Sequence, residues 1–257
     1  MRCFIADLHI HTALSPCAGE EMTPPSIVTR ALELGLGLIA ITDHNSTGNI
    51  QSVIEAAQGT PLKVLPGMEI QTKEEVHLIC LFANVEGAVA WQEVVYRHLP
   101  PHENVESFFG SQLLLDAQGR VRGREKRLLL QSTDLTIKEV VQGLTSFGGV
   151  AVPAHVDRQA YSLLGVLGFI PPDLPVRALE VSRPESRERI RNLWGSSRGW
   201  SLIASSDAHY LSDLGRAASC FYIQEATLPE IRLALTGEGG RKVVMVQRSG
   251  LHFRVVE

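Results

Sequence analysis

The chain lacks most of the features that place a sequence quickly. Its four cysteines, Cys3, Cys17, Cys80 and Cys220, stand far apart with no Cys-x-x-Cys pair. That spacing argues against a zinc knuckle or a disulfide framework and suits a reducing cytoplasm. Cys3 and Cys80 lie in apolar runs and are expected in the core. No apolar run reaches the ~18 residues of a membrane span, and no signal-peptide pattern is present. The expected location is therefore cytoplasmic, with no membrane partner. Cations are not in excess: 24 Lys and Arg against 28 Asp and Glu give a formal net charge of −4. A broadly basic nucleic-acid surface is not expected from that balance. Aromatic residues make up only 6% of the chain, with no strip that interleaves them with basic residues. There is no internal repeat and no low-complexity stretch, and nothing specifies an oligomeric state.

What is present reads as one large α/β domain over residues 1–257, a length that single barrels reach. Apolar strand-like runs alternate with helical periods. Cys3-Phe4-Ile5 leads into Asp7-Leu8-His9-Ile10-His11-Thr12. Thr23 before Pro24-Pro25 marks a helix start. Leu38 to Thr42 is a buried-type strand delivering Asp43-His44-Asn45, and Thr47 is the expected cap of the helix that follows. Val64 to Ile70 and Val76 to Phe82 are further strands. The rhythm changes over residues 84–133, read as an insertion within the domain, with a hairpin near Leu113 to Val121 and a charge run from Arg124 to Arg127. Thr136 and Glu139 have the spacing of a capping box. Strands then resume at Val150, Val176 and Trp200, delivering Pro153-Ala154-His155, Glu180-Val181 and Ser206-Asp207-Ala208-His209.

Six of the nine histidines, His9, His11, His44, His77, His155 and His209, fall within or just after these strands. In an extended chain His9 and His11 share one face, while Leu8 and Ile10 take the other. One histidine beside a strand is more often a hydrogen-bonded core residue than a ligand. Six of them, accompanied by Asp7, Asp43, Glu69 and Asp207, would leave buried charge unpaired unless cations are bound. In wound α/β folds the strand C-termini gather at one face, where sites are built. A nitrogen and oxygen donor set suits Zn²⁺, Mn²⁺ or Fe²⁺ better than Ca²⁺ or Mg²⁺. The expected cofactors are two or three such ions, and the expected chemistry is metal-assisted hydrolysis at phosphorus. His98, His102 and His252 are expected to be surface side chains.

The set Asp7-Leu8-His9-Ile10-His11-Thr12, Ile41-Thr42-Asp43-His44-Asn45, Gly67-Met68-Glu69, Val76-His77, Pro153-Ala154-His155 and Ser206-Asp207-Ala208-His209 resembles, in order, the polymerase and histidinol phosphatase (PHP) superfamily. The resemblance implies a distorted (β/α)₇ barrel with a di- or trinuclear site at the strand C-termini. It implies a first ion held by His9, His11, Glu69 and Asp207. Glu69 would bridge to a second ion completed by His77 and His155, and His44 and His209 would hold a third. Asp7 and Asp43 would orient the imidazoles. Many relatives carry a further ligand of the third ion after the first motif, where this chain has Ser15-Pro16-Cys17. Cys17 is the candidate there, as a thiolate or as a packing residue. Without a third ion, His44 and His209 become candidates for proton transfer, and Asp43 is counted with them as a catalytic candidate.

Arg158 and Arg183 are the candidate phosphate-binding residues, each with a surface ion pair as the alternative. The expected function is a metal-dependent phosphoesterase acting on a phosphomonoester or phosphodiester of a small metabolite or nucleotide, by in-line attack of a metal-bridging hydroxide. The alternatives are an exonuclease acting on short RNA or DNA, against which the missing aromatic-basic strip weighs, and a non-catalytic metal-binding regulatory module.

Overall fold

In the computed structural model, residues 1–194, 200–249 and 252–255 are described. The side chain of His252 lies outside that set. The fold is mixed α/β. Strands β1 (Arg2–Ile10), β2 (Leu38–Ile41) and β3 (Lys63–Gln71) run parallel. The next strand, β4 (His77–Leu81), is antiparallel to β3, and so to β7 (Val150–Pro153). On the other side of β1, β10 (Ala217–Ile223), β11 (Lys242–Ser249) and β12 (His252–Val255) continue the sheet in antiparallel pairs. The order is β12-β11-β10-β1-β2-β3-β4-β7. A parallel pair, β8 (Ala178–Val181) and β9 (Ser201–Ala204), packs against β7 at one side and against β10 and β11 at the other, so the sheet curls.

The central strands β2, β4 and β8 are buried along their whole length, which suits a sheet covered on both faces. Leu38 and Ala40 of β2, with Ile79 and Leu81 of β4, belong to a cluster that also holds Leu8, Val152, Ala178 and Phe221. Ile39 and Ile41, with Leu78 and Cys80, belong to a second cluster. That cluster also receives Ile27, Val28 and Ala31 of α1 (Pro24–Glu33) and Val140, Val141 and Leu144 of α5 (Ile137–Leu144). The cap of α1 is Thr23, whose hydroxyl accepts from the Ser26 amide, and α5 carries the full Thr136–Glu139 capping box. Thr47 caps nothing. Its hydroxyl and amide both donate to Gln92 Oε1, and α2 (Ile50–Ala56) starts later, at Asn49.

Residues 84–133 contain α3 (Val85–His98), a short turn of helix α4 (Glu106–Phe109), and the hairpin β5 (Leu113–Leu115) and β6 (Val121–Arg124). The hairpin is stitched to the rim: Asn49 donates to Leu113 O and accepts from Leu115 N, and Leu113 N donates to Ala13 O.

Two expectations about the cysteines fail. Cys3 is exposed and disulfide-bonded to Cys220, with the Cα atoms 5.7 Å apart. The pair is invisible in the sequence because 217 positions separate it. In the sheet, Cys3 opposes Tyr222 and Ile5 opposes Cys220, which makes the cysteines diagonal neighbours on adjacent strands. Cysteine spacing therefore gives no support to a reducing compartment. Cys80 is buried in the core, as expected. No described helix is long and apolar enough to cross a membrane.

Candidate metal centre

Glu69 is the hub. It projects from β3, buried, and its carboxylate lies within ion-pair distance of five imidazoles. His9 Nε2 is 3.2 Å and His155 Nε2 3.2 Å from Oε1, with His77 Nδ1 at 2.9 Å; His44 Nδ1 is 3.0 Å and His11 Nε2 3.4 Å from Oε2. The parallel strands deliver most of these groups at their C-terminal ends. β1 gives His9 and His11, β2 gives Asp43 and His44, and β7 gives His155. The loop after β9 gives Asp207 and His209. His77 arrives differently. It is the first residue of β4, and because β4 runs antiparallel its start lies at the same rim.

A β-bulge between Asp7 and Ile10 breaks the simple alternation expected of β1. Leu8 and Ile10 join different core clusters, yet His9 Nε2 and His11 Nε2 still lie 3.3 Å apart. Bulges commonly re-aim a side chain in this way. Asp207 Oδ1 completes the group, 3.2 Å from His9 and 3.1 Å from His11. His155 and Asp207 both hold positive φ, 32° and 51°, a left-handed conformation that costs a non-glycine residue energy and clusters at functional sites.

Three sets of donor atoms lie close enough to hold an ion, each within 4.8 Å of one another: His9, His11, Glu69 and Asp207; His44, Glu69 and His77; and His11, His44 and His209. His155 reaches Glu69 but joins none of these sets. Glu69 Oε2 and His155 Nδ1 are buried without a hydrogen-bond partner. Orphaned donors beside converging lone pairs fit divalent cations better than protons. Burial alone would raise the Glu69 pKa, but His77, His9 and His44 hold it well below the ordinary carboxylate range.

The groups around the ligands hold them in register. Asp43 is fully buried and accepts from the Thr12 amide and hydroxyl and from the Ser15 hydroxyl at 2.7 Å each. Ser15 Oγ lies 2.9 Å from His11 Nδ1, so Asp43 acts on His11 through Ser15. Three donors occupy the Asp43 carboxylate, which suits a residue that positions His11. Asp7 likewise touches no imidazole. It accepts from the Ser206 amide and hydroxyl and from the Gly215 amide, fixing the loop that carries Asp207; burial, opposed by those bonds, raises its pKa to about 6.

Cys17 is exposed at the mouth, with its sulfur turned onto His44 and His209. Desolvation there raises its pKa, the hydrogen bonds with the His209 and His44 imidazoles lower it by more, and the thiol settles at about 7. Arg158 Nη1 lies 2.6 Å from Asp207 Oδ2, which places it at the centre. Arg183 does not reach it. Its side chain is exposed, and its amide donates to Asp157 Oδ2, part of a carboxylate that also ties Ser182 and Ser186.

Sequence reasoning missed two residues. Glu180, fully buried, lies 3.1 and 3.3 Å from His9 Nδ1 and accepts from the His155 amide. Its strand was legible, but a single glutamate in an apolar run carries no signal of its partner. Tyr161 stacks on His77 at 4.9 Å between ring centroids from a loop with no motif.

The PHP domain family pattern matches residues 7–147. The chain belongs to the PHP domain family. Among PHP relatives, the 5'-3' exoribonuclease Rnm of Escherichia coli K12 is 29% identical over 175 residues, 65% of this chain and 57% of that protein. The 3',5'-nucleoside bisphosphate phosphatase of Chromobacterium violaceum is 32% identical over 78 residues, 29% of this chain and 26% of that protein. The chain spans less than two thirds of the length of either relative. The lesion-specific endonuclease PfuEndoQ of Pyrococcus furiosus shares the fold, with a TM-score of 0.69 at 21% identity over 96% of this chain and 60% of that one. All three names are those of enzymes that cleave phosphate esters.

Proposed function

We propose that the chain is a metal-dependent phosphoesterase that hydrolyses a phosphate ester of a nucleotide or similar small metabolite. The observation that carries this reading is the convergence of five imidazoles on the single carboxylate of Glu69. His9, His11 and Asp207 would hold one ion with Glu69. His77 and His155 would hold a second with it, and His44, His209 and Cys17 a third. Zn²⁺, Mn²⁺ and Fe²⁺ all suit these donors. The chemistry such ions supply is a lowered pKa for water and compensation of charge on phosphoryl oxygens.

The chain's own residues do the rest. Arg158, with 43% of its side chain exposed, grips a phosphate oxygen from the open side of Asp207. With two ions bound and no third, His209, with 22% of its side chain exposed, is the imidazole of the cluster best placed to give a proton to a leaving oxygen. Residues 84–133, read as an insertion in one barrel-like domain, form the rim over α2 and the β1 loop. A second reading, cleavage at the end of a short nucleic acid, is favoured by the relationship to the Rnm exoribonuclease and to the endonuclease fold.

A panel of p-nitrophenyl phosphate, its diester, mononucleotides and short oligonucleotides, with Mn²⁺ or Zn²⁺, tests the proposal. Turnover of at least one ester, abolished by EDTA and restored by metal, is expected. No turnover of any of them with metal bound would return the cluster to a structural or regulatory role. Arg158→Ala should raise KM about tenfold while leaving metal content unchanged, since a charge-assisted phosphate contact is worth roughly 1.5–3 kcal/mol. Unchanged KM and kcat would reassign Arg158 to tethering Asp207.

A further inference from the structure

Phe108 is 79% exposed, more than any other large apolar side chain among the described residues. It is nevertheless firmly placed. Its ring meets Phe109 edge-on at 4.7 Å, and α4 is pinned to β6 by the Glu106–Arg124 ion pair at 2.7 Å. At the end of α4, Gly110 adopts φ +99° and packs so tightly on the loop before Cys17 that an added Cβ would lie 2.3 Å from Pro16 O. The exposed aromatic side chain therefore stands on a short helix whose end abuts the loop that leads to Cys17.

The strand joined to α4 through Arg124 carries a row of cations. Arg122, Arg124 and Lys126 occupy every second position of β6 and its extension, all exposed. Arg124 is bound to Glu106, whereas Arg122 and Lys126 have no ion-pair partner among the described residues. Behind this row lies a cavity of about 540 Å³ lined by Tyr96, His102, Glu103, Glu125, Lys126 and Arg127 among others. Arg127 pairs with Glu125 and stacks over the Tyr96 ring at 4.3 Å, and Tyr96 Oη lies 2.9 Å from the Ser46 hydroxyl, two residues past His44. The cavity thus borders the loop that carries a ligand. The aromatic helix α4 and the basic strand β6 belong to one segment, separated in sequence by β5 and its turn, and the Glu106–Arg124 ion pair joins them.

We infer that this face of residues 84–133 is a track for single-stranded nucleic acid: a base stacks on Phe108 while Arg122 and Lys126 hold neighbouring phosphates, feeding the strand to the metal centre. An exposed aromatic face with unpaired cations along it is the pairing that single-strand binders use, because every base offers a π face and every linkage a charge. The inference rests on the phosphoesterase reading for its purpose and not for its binding.

The test measures binding of a fluorescein-labelled octathymidylate with hydrolysis-resistant phosphorothioate linkages to the Mn²⁺-loaded protein by anisotropy. Phe108→Ala and Phe108→Leu should each weaken binding about tenfold, and Phe108→Trp should keep it. Replacing Arg122 and Lys126 by Gln should lower the slope of log affinity against log salt by roughly 0.7 per cation removed. Binding by Phe108→Leu equal to that of the unaltered protein overturns the inference and leaves an apolar docking surface for a protein. An unchanged salt slope in the double variant overturns the phosphate contacts. Mononucleotide turnover by the unaltered protein is followed in parallel. Turnover without any aromatic requirement in binding removes the track and keeps the phosphoesterase; aromatic-dependent binding without turnover does the reverse.

Discussion

Glu69→Gln should reduce phosphoesterase activity by roughly 10³-fold and strip the protein of bound metal, while the sheet and its helices persist. Glutamine keeps the size of the side chain and removes the charge that five imidazoles share. Glu69, His11 and His44 each belong to two donor sets, and Glu69 is the one carboxylate among the three, so its change removes negative charge from two ion positions at once. Stability should also change, with a definite sign. The Glu69 pKa is held down in the folded protein by His77, His9 and His44. A depressed carboxylate adds stability that is present above its unfolded value, here 4.5, and is lost as pH falls through the folded value. The metal-free Gln variant should therefore be less stable at neutral pH, by about 3 kcal/mol for a buried charge set that loses its counter-charge, and the gap should close in strong acid. Metal analysis of the purified variant and denaturant titrations at two pH values check both parts. A variant that retains two ions per chain contradicts the hub assignment.

Much of this centre was legible in the sequence because most of the ligands lie in or just after the last residues of a strand, and strand ends are readable. His9, His11, Glu69 and Asp207 form a donor set in the structure, and His44 and His209 meet at the third position with Cys17 beside them. The helix starts at Thr23 and Thr136 were readable because their signals are local, prolines after Thr23 and a glutamate three residues after Thr136. What was not legible depends on contacts between distant segments. The Cys3–Cys220 bond requires knowing that β1 and β10 are neighbours. Antiparallel β4, which presents His77 from a strand start, departs from the strand–helix repeat without any mark in its composition. The resemblance implied that Asp7 and Asp43 orient the imidazoles, and the route, through Ser15 for Asp43 and through the loop that carries Asp207 for Asp7, has no mark in the sequence. In space both are occupied by amides and hydroxyls of Thr12, Ser15, Ser206 and Gly215. Thr47 failed as a cap for a similar reason, since Gln92 of α3 competes for its hydroxyl.

Glu180→Ala should weaken Mn²⁺ binding by about 10- to 100-fold without removing a ligand. Both carboxylate oxygens face His9 Nδ1, so that nitrogen carries the proton and Nε2 is left as a lone pair aimed at Glu69 and Asp207. The same carboxylate accepts the His155 amide at 2.9 Å, across a backbone held at φ 32°. One buried group therefore sets the tautomer of one imidazole and the strained turn that presents another. Glu180 is a positioning residue, and its signature differs from that of a purely structural one. Loss of packing alone would lower Tm and leave the metal affinity of the remaining folded protein intact. Loss of tautomer control should lower affinity at pH values where the fold is fully populated. It should also flatten the pH dependence of binding, because Glu180 helps to raise the His9 pKa and an imidazole without that carboxylate holds a competing proton less tightly. Glu180→Gln, which offers one oxygen instead of two, should fall between the unaltered protein and the Ala variant. Equal Mn²⁺ affinity for all three across pH 6–8 would show that His9 needs no help from Glu180 to face the metal.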